Sequence, residues 1–305
     1  LNFQSTLANS GTISFTGATD QITLNVTSTT TNSGTVTFAS NLGVKTFTGS
    51  VTNTGTWTSS LLLATGNLIF RQGVSSSTGT FNAGGATFAD FTTNTQTIGG
   101  TGAMTFAGVV TLSDGVQPGA MSVTNSNTNT VTLSNTGAAT LTGTAGASWV
   151  QGANSTLSYA GSTITNITLS AAANTPNTVN YTGATPTIYP ASYNNLTFSG
   201  TTTGTVLTGT TVNVSGNLTA SSGTFIGTGT GTVVFNGTTA TQTISGAGAF
   251  TFANVTLATG STFHVNVNRN ISISGVLNFT AATARQLVLG AGIDLTFGAT
   301  ATTSN

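Results

Sequence analysis

The sequence predicts an all-β repeat protein, a parallel β-solenoid with essentially no α-helix, and three observations carry that expectation. One passage is written twice: Asn195-Leu-Thr-Phe198 returns as Asn254-Val-Thr-Leu257, and Val212-Asn-Val-Ser-Gly-Asn-Leu218 returns as Ile271-Ser-Ile-Ser-Gly-Val-Leu277. Both pairs lie 59 positions apart (195 to 254, 212 to 271). Within each copy, apolar residues recur at every second position with Thr, Asn or Ser between them, the mark of a half-buried strand. Composition supplies the third observation. Only 3% of the residues are charged and none is Glu, whereas helices draw on Glu, Lys and Arg for their outer faces.

The strands can be followed along the chain. Ile13 with Phe15, Ile22 with Leu24, and Val36 with Phe38 are apolar pairs two apart, each followed by turn residues. The run Leu61-Leu-Leu63 is the most apolar stretch and is too short for a membrane helix. Residues 61–100 overlay 211–246: Thr78-Gly-Thr-Phe81 matches Ser222-Gly-Thr-Phe225, and Gln96-Thr-Ile matches Gln242-Thr-Ile. The repeats are clearest over 61–112 and 186–280 and most degenerate over 123–182, where Ala171 to Pro176 reads as a loop or bulge. Leu287, Leu289, Ile293, Leu295 and Phe297 close the array before a polar tail. Residues 1–305 thus read as one continuous array. If the 59-residue period holds three coils, each coil has about 20 residues. The period also accommodates two longer coils, or the hairpins of tandem antiparallel β-sandwich units.

A hydrophobic fraction of 37%, rich in Val, Ile, Leu and Phe, argues against disorder. Four scattered cations, Lys45, Arg71, Arg269 and Arg285, cannot neutralise a phosphate backbone, which excludes nucleic acid as a partner. With no cysteine, disulfides and thiolate metal sites play no part. The chain opens at Leu1 without a signal peptide, so it reads as a processed secreted product or a piece of something longer.

The cycle of Asn-Leu-Thr-Phe, Val-x-Val-Ser-Gly-Asn-Leu, Gly-Thr-Phe and Gln-Thr-Ile-x-Gly resembles the β-strand repeats of large bacterial cell-surface and secreted proteins, among them adhesins and filament proteins. The resemblance implies a parallel β-helix at an extracellular or cell-surface location, with glycans or cell-surface components as partners. It brings no catalytic residues.

Chemistry is sparse. Asp20, Asp90, Asp114 and Asp294 are isolated in sequence and read as turn-capping or solvated groups rather than a glycosidase pair. His264, the only histidine, points outward in an alternating run, and Asp294 should also face outward. Gly227 to Gly231 lacks the lysine and helix of a phosphate loop and reads as a turn. No catalytic, metal or cofactor site is expected, and no enzyme.

The expected function is a structural, self-assembling subunit of a filament, sheath or surface layer. A solenoid without polar caps leaves strand edges that template pairing, which places a homopolymer contact at Phe3, Ile13 and Phe15 on one side and Leu287, Leu289, Leu295 and Phe297 on the other. The alternative is an adhesin or stalk segment of a larger surface protein. Ice binding ranks lower, because Thr35-Val-Thr37 and Thr130-Val-Thr132 fall at irregular spacing, and a polysaccharide-active β-helix ranks last.

Overall fold

In the computed structural model, residues 1–17, 21–39, 43–59, 67–117, 119–258, 264–280 and 286–304 are described. The alternation read from the sequence becomes strands of two to eleven residues, most of them alternating buried with half-buried positions. The fold is an all-β parallel β-solenoid of about 12 turns, with no helix among the described residues. It divides into two compact units, Leu1–Leu169 and Ser170–Asn305.

In unit 1 each coil contributes a strand to each of three faces. The first face begins Asn2–Phe3, Leu24–Val26, Lys45–Phe47 and Leu68–Phe70. The second begins Leu7–Asn9, Thr30–Asn32, Val51–Asn53 and Val74–Ser76, and the third Thr12–Phe15, Thr35–Phe38, Thr56–Ser59 and Thr80–Ala83. The long strand Leu141–Gln151 turns the corner between two faces, pairing with Val110–Ser113 through its first residues and with Ser122–Asn125 through its last. All these pairings are parallel and in register, so like side chains stack along the coil axis. Inside, Phe38, Trp57, Phe47, Phe70, Phe81 and Phe88 form a continuous aromatic column with neighbouring centroids 5.2–6.2 Å apart.

One corner of unit 1 is polar. Asn9 donates from Nδ2 to Asn32 Oδ1 at 2.7 Å, Asn32 donates to Asn53 Oδ1 at 2.7 Å, and Asn53 donates to Ser76 Oγ at 3.2 Å. Each asparagine also donates to a carbonyl of the following turn (Thr35, Thr56, Thr80), which satisfies a buried amide that would otherwise cost stability. Two residues later a glycine turns the chain. A Cβ on Gly55 would lie 2.1 Å from the Gly34 carbonyl oxygen, and one on Gly79 would lie 1.8 Å from that of Gly55, so only glycine lets the coils close to strand spacing.

Unit 2 repeats the three-faced plan. One face runs Thr178–Tyr181, Asn195–Phe198, Leu218–Ala220, Gln242–Ser245, Val265–Val267 and Leu287–Leu289. A second runs from Ser192–Tyr193 through Thr211–Val214, Thr232–Phe235, Asn254–Leu257 and Val276–Phe279 to Thr302–Ser304. The third runs from Thr203–Val206 through Thr224–Gly227, Ala249–Phe252 and Ile271–Ile273 to Leu295–Phe297. Every core position expected here is buried: Leu196, Phe198, Val212, Val214, Leu218, Phe225, Val255, Leu257, Ile271, Ile273 and Leu277.

The coil length differs from the expectation. Val212 lies opposite Val233, Val233 opposite Val255, and Val255 opposite Leu277, so a coil takes about 22 residues. The 59-residue repeat is therefore neither three coils nor two. It carries Leu196, which stacks on Leu218, to Val255, which sits on another face, an advance of two coils and two further faces. The repeat is visible because all three faces demand the same strand sentence. Antiparallel sandwich units are excluded, since the ladders on the faces of both units run parallel. Residues 172–177 form a loop, as expected, while strands on either side of it remain regular.

Candidate functional site

The two end coils are the most distinctive surfaces. In unit 1, Asn2–Phe3, Leu7–Asn9 and Thr12–Phe15 each pair on one side only, with Leu24–Val26, Thr30–Asn32 and Thr35–Phe38. The carbonyls of Leu1 and Phe3 accept from Asn25 and Thr27, and Leu7 donates to Thr29 while Asn9 accepts from Ser33. By the alternation of a parallel ladder, the N–H and C=O groups of Asn2 and Ala8 then point away from the second coil, toward the open edge. In unit 2, Leu287–Leu289, Leu295–Phe297 and Thr302–Ser304 are the corresponding one-sided strands.

The expected contact residues lie on these coils. Phe3 is 39% exposed, and Ile13 and Phe15 are half-buried, with the Phe15 ring 5.4 Å from that of Phe38. Leu289 and Phe297 are 40% and 42% exposed, while Leu287 and Leu295 are half-buried. These are large apolar side chains in the rows that are fully buried one or two coils further in. At the unit 1 end, Leu7 and Ile13 rim an apolar concavity that reaches Phe38, Phe47 and Trp57. The asparagine ladder ends there too: Asn9 Oδ1 is bonded to Gly11 N at 3.2 Å, where Asn32 and Asn53 receive an amide from the preceding coil. Neither set of end strands carries Lys or Pro, the residues that blunt a solitary edge.

The titratable residues form no cluster: among the described residues no three of His, Cys, Asp or Glu gather. Asp20 and Arg285 lie outside the described residues, as does Leu61-Leu-Leu63. Asp90 is buried and accepts from Val116 N at 2.5 Å and Gln117 N at 2.6 Å, a cap for that turn. Asp114 and Asp294 are exposed. His264 is half-buried, its Nδ1 enclosed without a hydrogen-bond partner among the described residues. Gly227 to Gly231 ends a strand and turns, with Gly229 at φ +56°. Lys45 stacks between Leu24 and Leu68 inside unit 1 and donates to the Gly43 carbonyl; burial lowers its pKa to about 8. In unit 2, burial and the neighbouring Tyr181 hold the Tyr193 hydroxyl well above its ordinary pKa.

Two internal devices escaped the sequence reading. Gln96 and Gln242, recognised only as repeats of each other, are both buried and do the same work. Gln96 accepts from Gly73 N and donates to the carbonyls of Phe70 and Ala89; Gln242 accepts from Gly237 N and donates to Val214 and Gly216. The asparagine ladder was signalled by Asn9-Ser-Gly-Thr12, Asn32-Ser-Gly-Thr35 and Asn53-Thr-Gly-Thr56. Comparison with protein-family models, with curated proteins and with solved structures finds no match for this chain.

Proposed function

We propose that this chain is a structural, extracellular, self-assembling protein that polymerises head to tail through its end coils. The observation that carries this is the pair of one-sided edges, each with three parallel strands, exposed apolar side chains and no blunting residue. The last coil of one copy, laid on the first coil of the next, continues the parallel ladder in the sense it already has, pairs the outward N–H and C=O groups of Asn2 and Ala8, and covers Phe3. Such addition of strands to an open edge draws its affinity from main-chain bonds and its specificity from alternate side chains. A head-to-tail contact that does not close gives a filament. A net charge of zero leaves little long-range repulsion against it.

A second reading rests on the resemblance to bacterial surface repeat proteins: the same edges are covered by further coils of a longer adhesin or stalk. The experiment that separates the two places proline at Asn2 and Ala8. Both N–H groups face the open edge, so Asn2→Pro with Ala8→Pro removes edge donors without breaking a bond to the second coil. Head-to-tail assembly predicts filaments from the parent and a folded monomer from the variant. Parent chains that stay monomeric at every concentration favour the stalk reading.

A further inference from the structure

We infer that the third face of unit 1 is an ice-binding plane. In the sequence, Thr-x-Thr pairs such as Thr35-Val-Thr37 and Thr130-Val-Thr132 are irregularly spaced. The fold removes the irregularity, because differences in coil length are absorbed in the turns while the strands stay in register. Thr12, Thr35, Thr56 and Thr80 stand opposite one another in consecutive coils. A second row runs beside the first through Thr37, Thr58, Asn82, Thr105 and Thr132. Parallel-strand geometry sets such a grid at about 4.8 Å between coils and about 6.6 Å along each strand, distances of the kind that separate oxygens on the faces of crystalline ice.

Four further features suit this face to that ligand. Among the described residues, the hydroxyls of these threonines make no hydrogen bond within the protein, whereas turn threonines such as Thr27 and Thr101 donate to the carbonyls of Phe3 and Ser77. The grid hydroxyls are therefore free for water, and each carries a methyl group on a side chain that is stiff at χ1. Beneath the plane the aromatic column fixes the strands, with Trp57 5.4 Å from both Phe38 and Phe81. No outward residue on these strands is charged or aromatic, so the face has neither a stacking platform for sugar rings nor a partner for a charged surface. The other faces present no such pair of open rows: on the first, Ile69 separates Thr46 from the run of Thr87, Thr111 and Thr142, where Thr87 is buried and the Thr111 hydroxyl enclosed, and on the second the row of Thr31 and Thr52 begins at Ala8 and passes through Ser75 to Gly99.

The test uses the full chain, with thermal hysteresis and partition into growing ice as readouts, and three variants with far-UV circular dichroism to confirm the fold. Thr37→Lys with Thr58→Lys places two charges on the grid at positions that make no internal bond; Thr37→Val with Thr58→Val removes only the hydroxyls; Thr52→Lys is the control on another face. The parent is expected to enter ice and to depress freezing below melting, the lysine pair to lose most of both effects, and the control to retain them. The valine pair should keep part of the activity, since the methyl grid survives. A parent that is excluded from ice, a control that loses as much as the lysine pair, or a parent that is captured by crystalline chitin or cellulose and not by ice would overturn the assignment.

Discussion

Asn32→Ala tests the polar corner of unit 1, and its cost can be worked from the bonds it removes. Asn32 gives one bond to Asn53 Oδ1 and one to the Thr56 carbonyl and receives one from Asn9. Asn9 keeps acceptors at Gly11 and Thr35, but Asn53 Oδ1 is left buried without a donor among the described residues. Two net hydrogen bonds at about 1 kcal/mol each, with about 1–3 kcal/mol more for the orphaned acceptor, give a loss of about 3–5 kcal/mol. That is a large fraction of the stability of an ordinary domain. Asn32→Asp should do no better at neutral pH, because a carboxylate accepts from Asn9 but has nothing to donate to Asn53. Burial raises the pKa of the new carboxyl in the folded state, so Asn32→Asp should regain stability as pH falls. Urea unfolding followed by circular dichroism reads both. A loss below about 1 kcal/mol for Asn32→Ala, or an Asn32→Asp variant as stable as the parent at pH 7, would show that the ladder contributes nothing.

Four more outcomes follow from the core. Val214→Asp, at a fully buried position, should cost several kcal/mol through an unpaired buried charge, and an unchanged melting curve would refute the inward assignment. Gly55→Ala should destabilise markedly, its Cβ set against the Gly34 carbonyl, while Gly11→Ala, with nothing within 4 Å, should be close to neutral; equal effects in thermal melts would contradict stacked corners. Lys45, with its folded pKa lowered from 10.5 to about 8, binds fewer protons folded than unfolded between those values, so stability should rise with pH across that window. Lys45→Met should accordingly be more stable than the parent at pH 7 and lose that advantage toward pH 10.5. Above pH 10 the raised Tyr193 pKa works the other way, since unfolding then releases a proton and stability falls.

How much could be read in advance depended on whether a feature needed coil register. Inward positions such as Val214 and Ile273 were legible because period-two alternation is a property of a single strand. Coil length was not: the strongest repeat joined strands on different faces, and only the ladder partners Val212, Val233 and Val255 reveal about 22 residues per coil. The signal at Asn9, Asn32 and Asn53 was present but resembled ordinary turn chemistry, in which Asn, Ser and Gly are expected for local reasons. The threonine grid was illegible for the converse reason. Thr37 and Thr132 are far apart in sequence, and their row exists only once each intervening turn has absorbed its own length difference. Of the end coils, the absence of Lys and Pro could be read directly, whereas which N–H groups face outward required the register of Asn2 with Asn25.

The measurement that bears most directly on the proposed assembly is X-ray fibre diffraction, with cryo-electron microscopy, of the purified chain at high concentration. Head-to-tail stacking of parallel coils predicts filaments with a reflection at about 4.8 Å along the filament axis, and a strand ladder that passes without a gap from the Leu287–Leu289 row of one copy to the Asn2–Phe3 coil of the next. Filaments with that reflection across the axis, or discrete particles at every concentration, would contradict it.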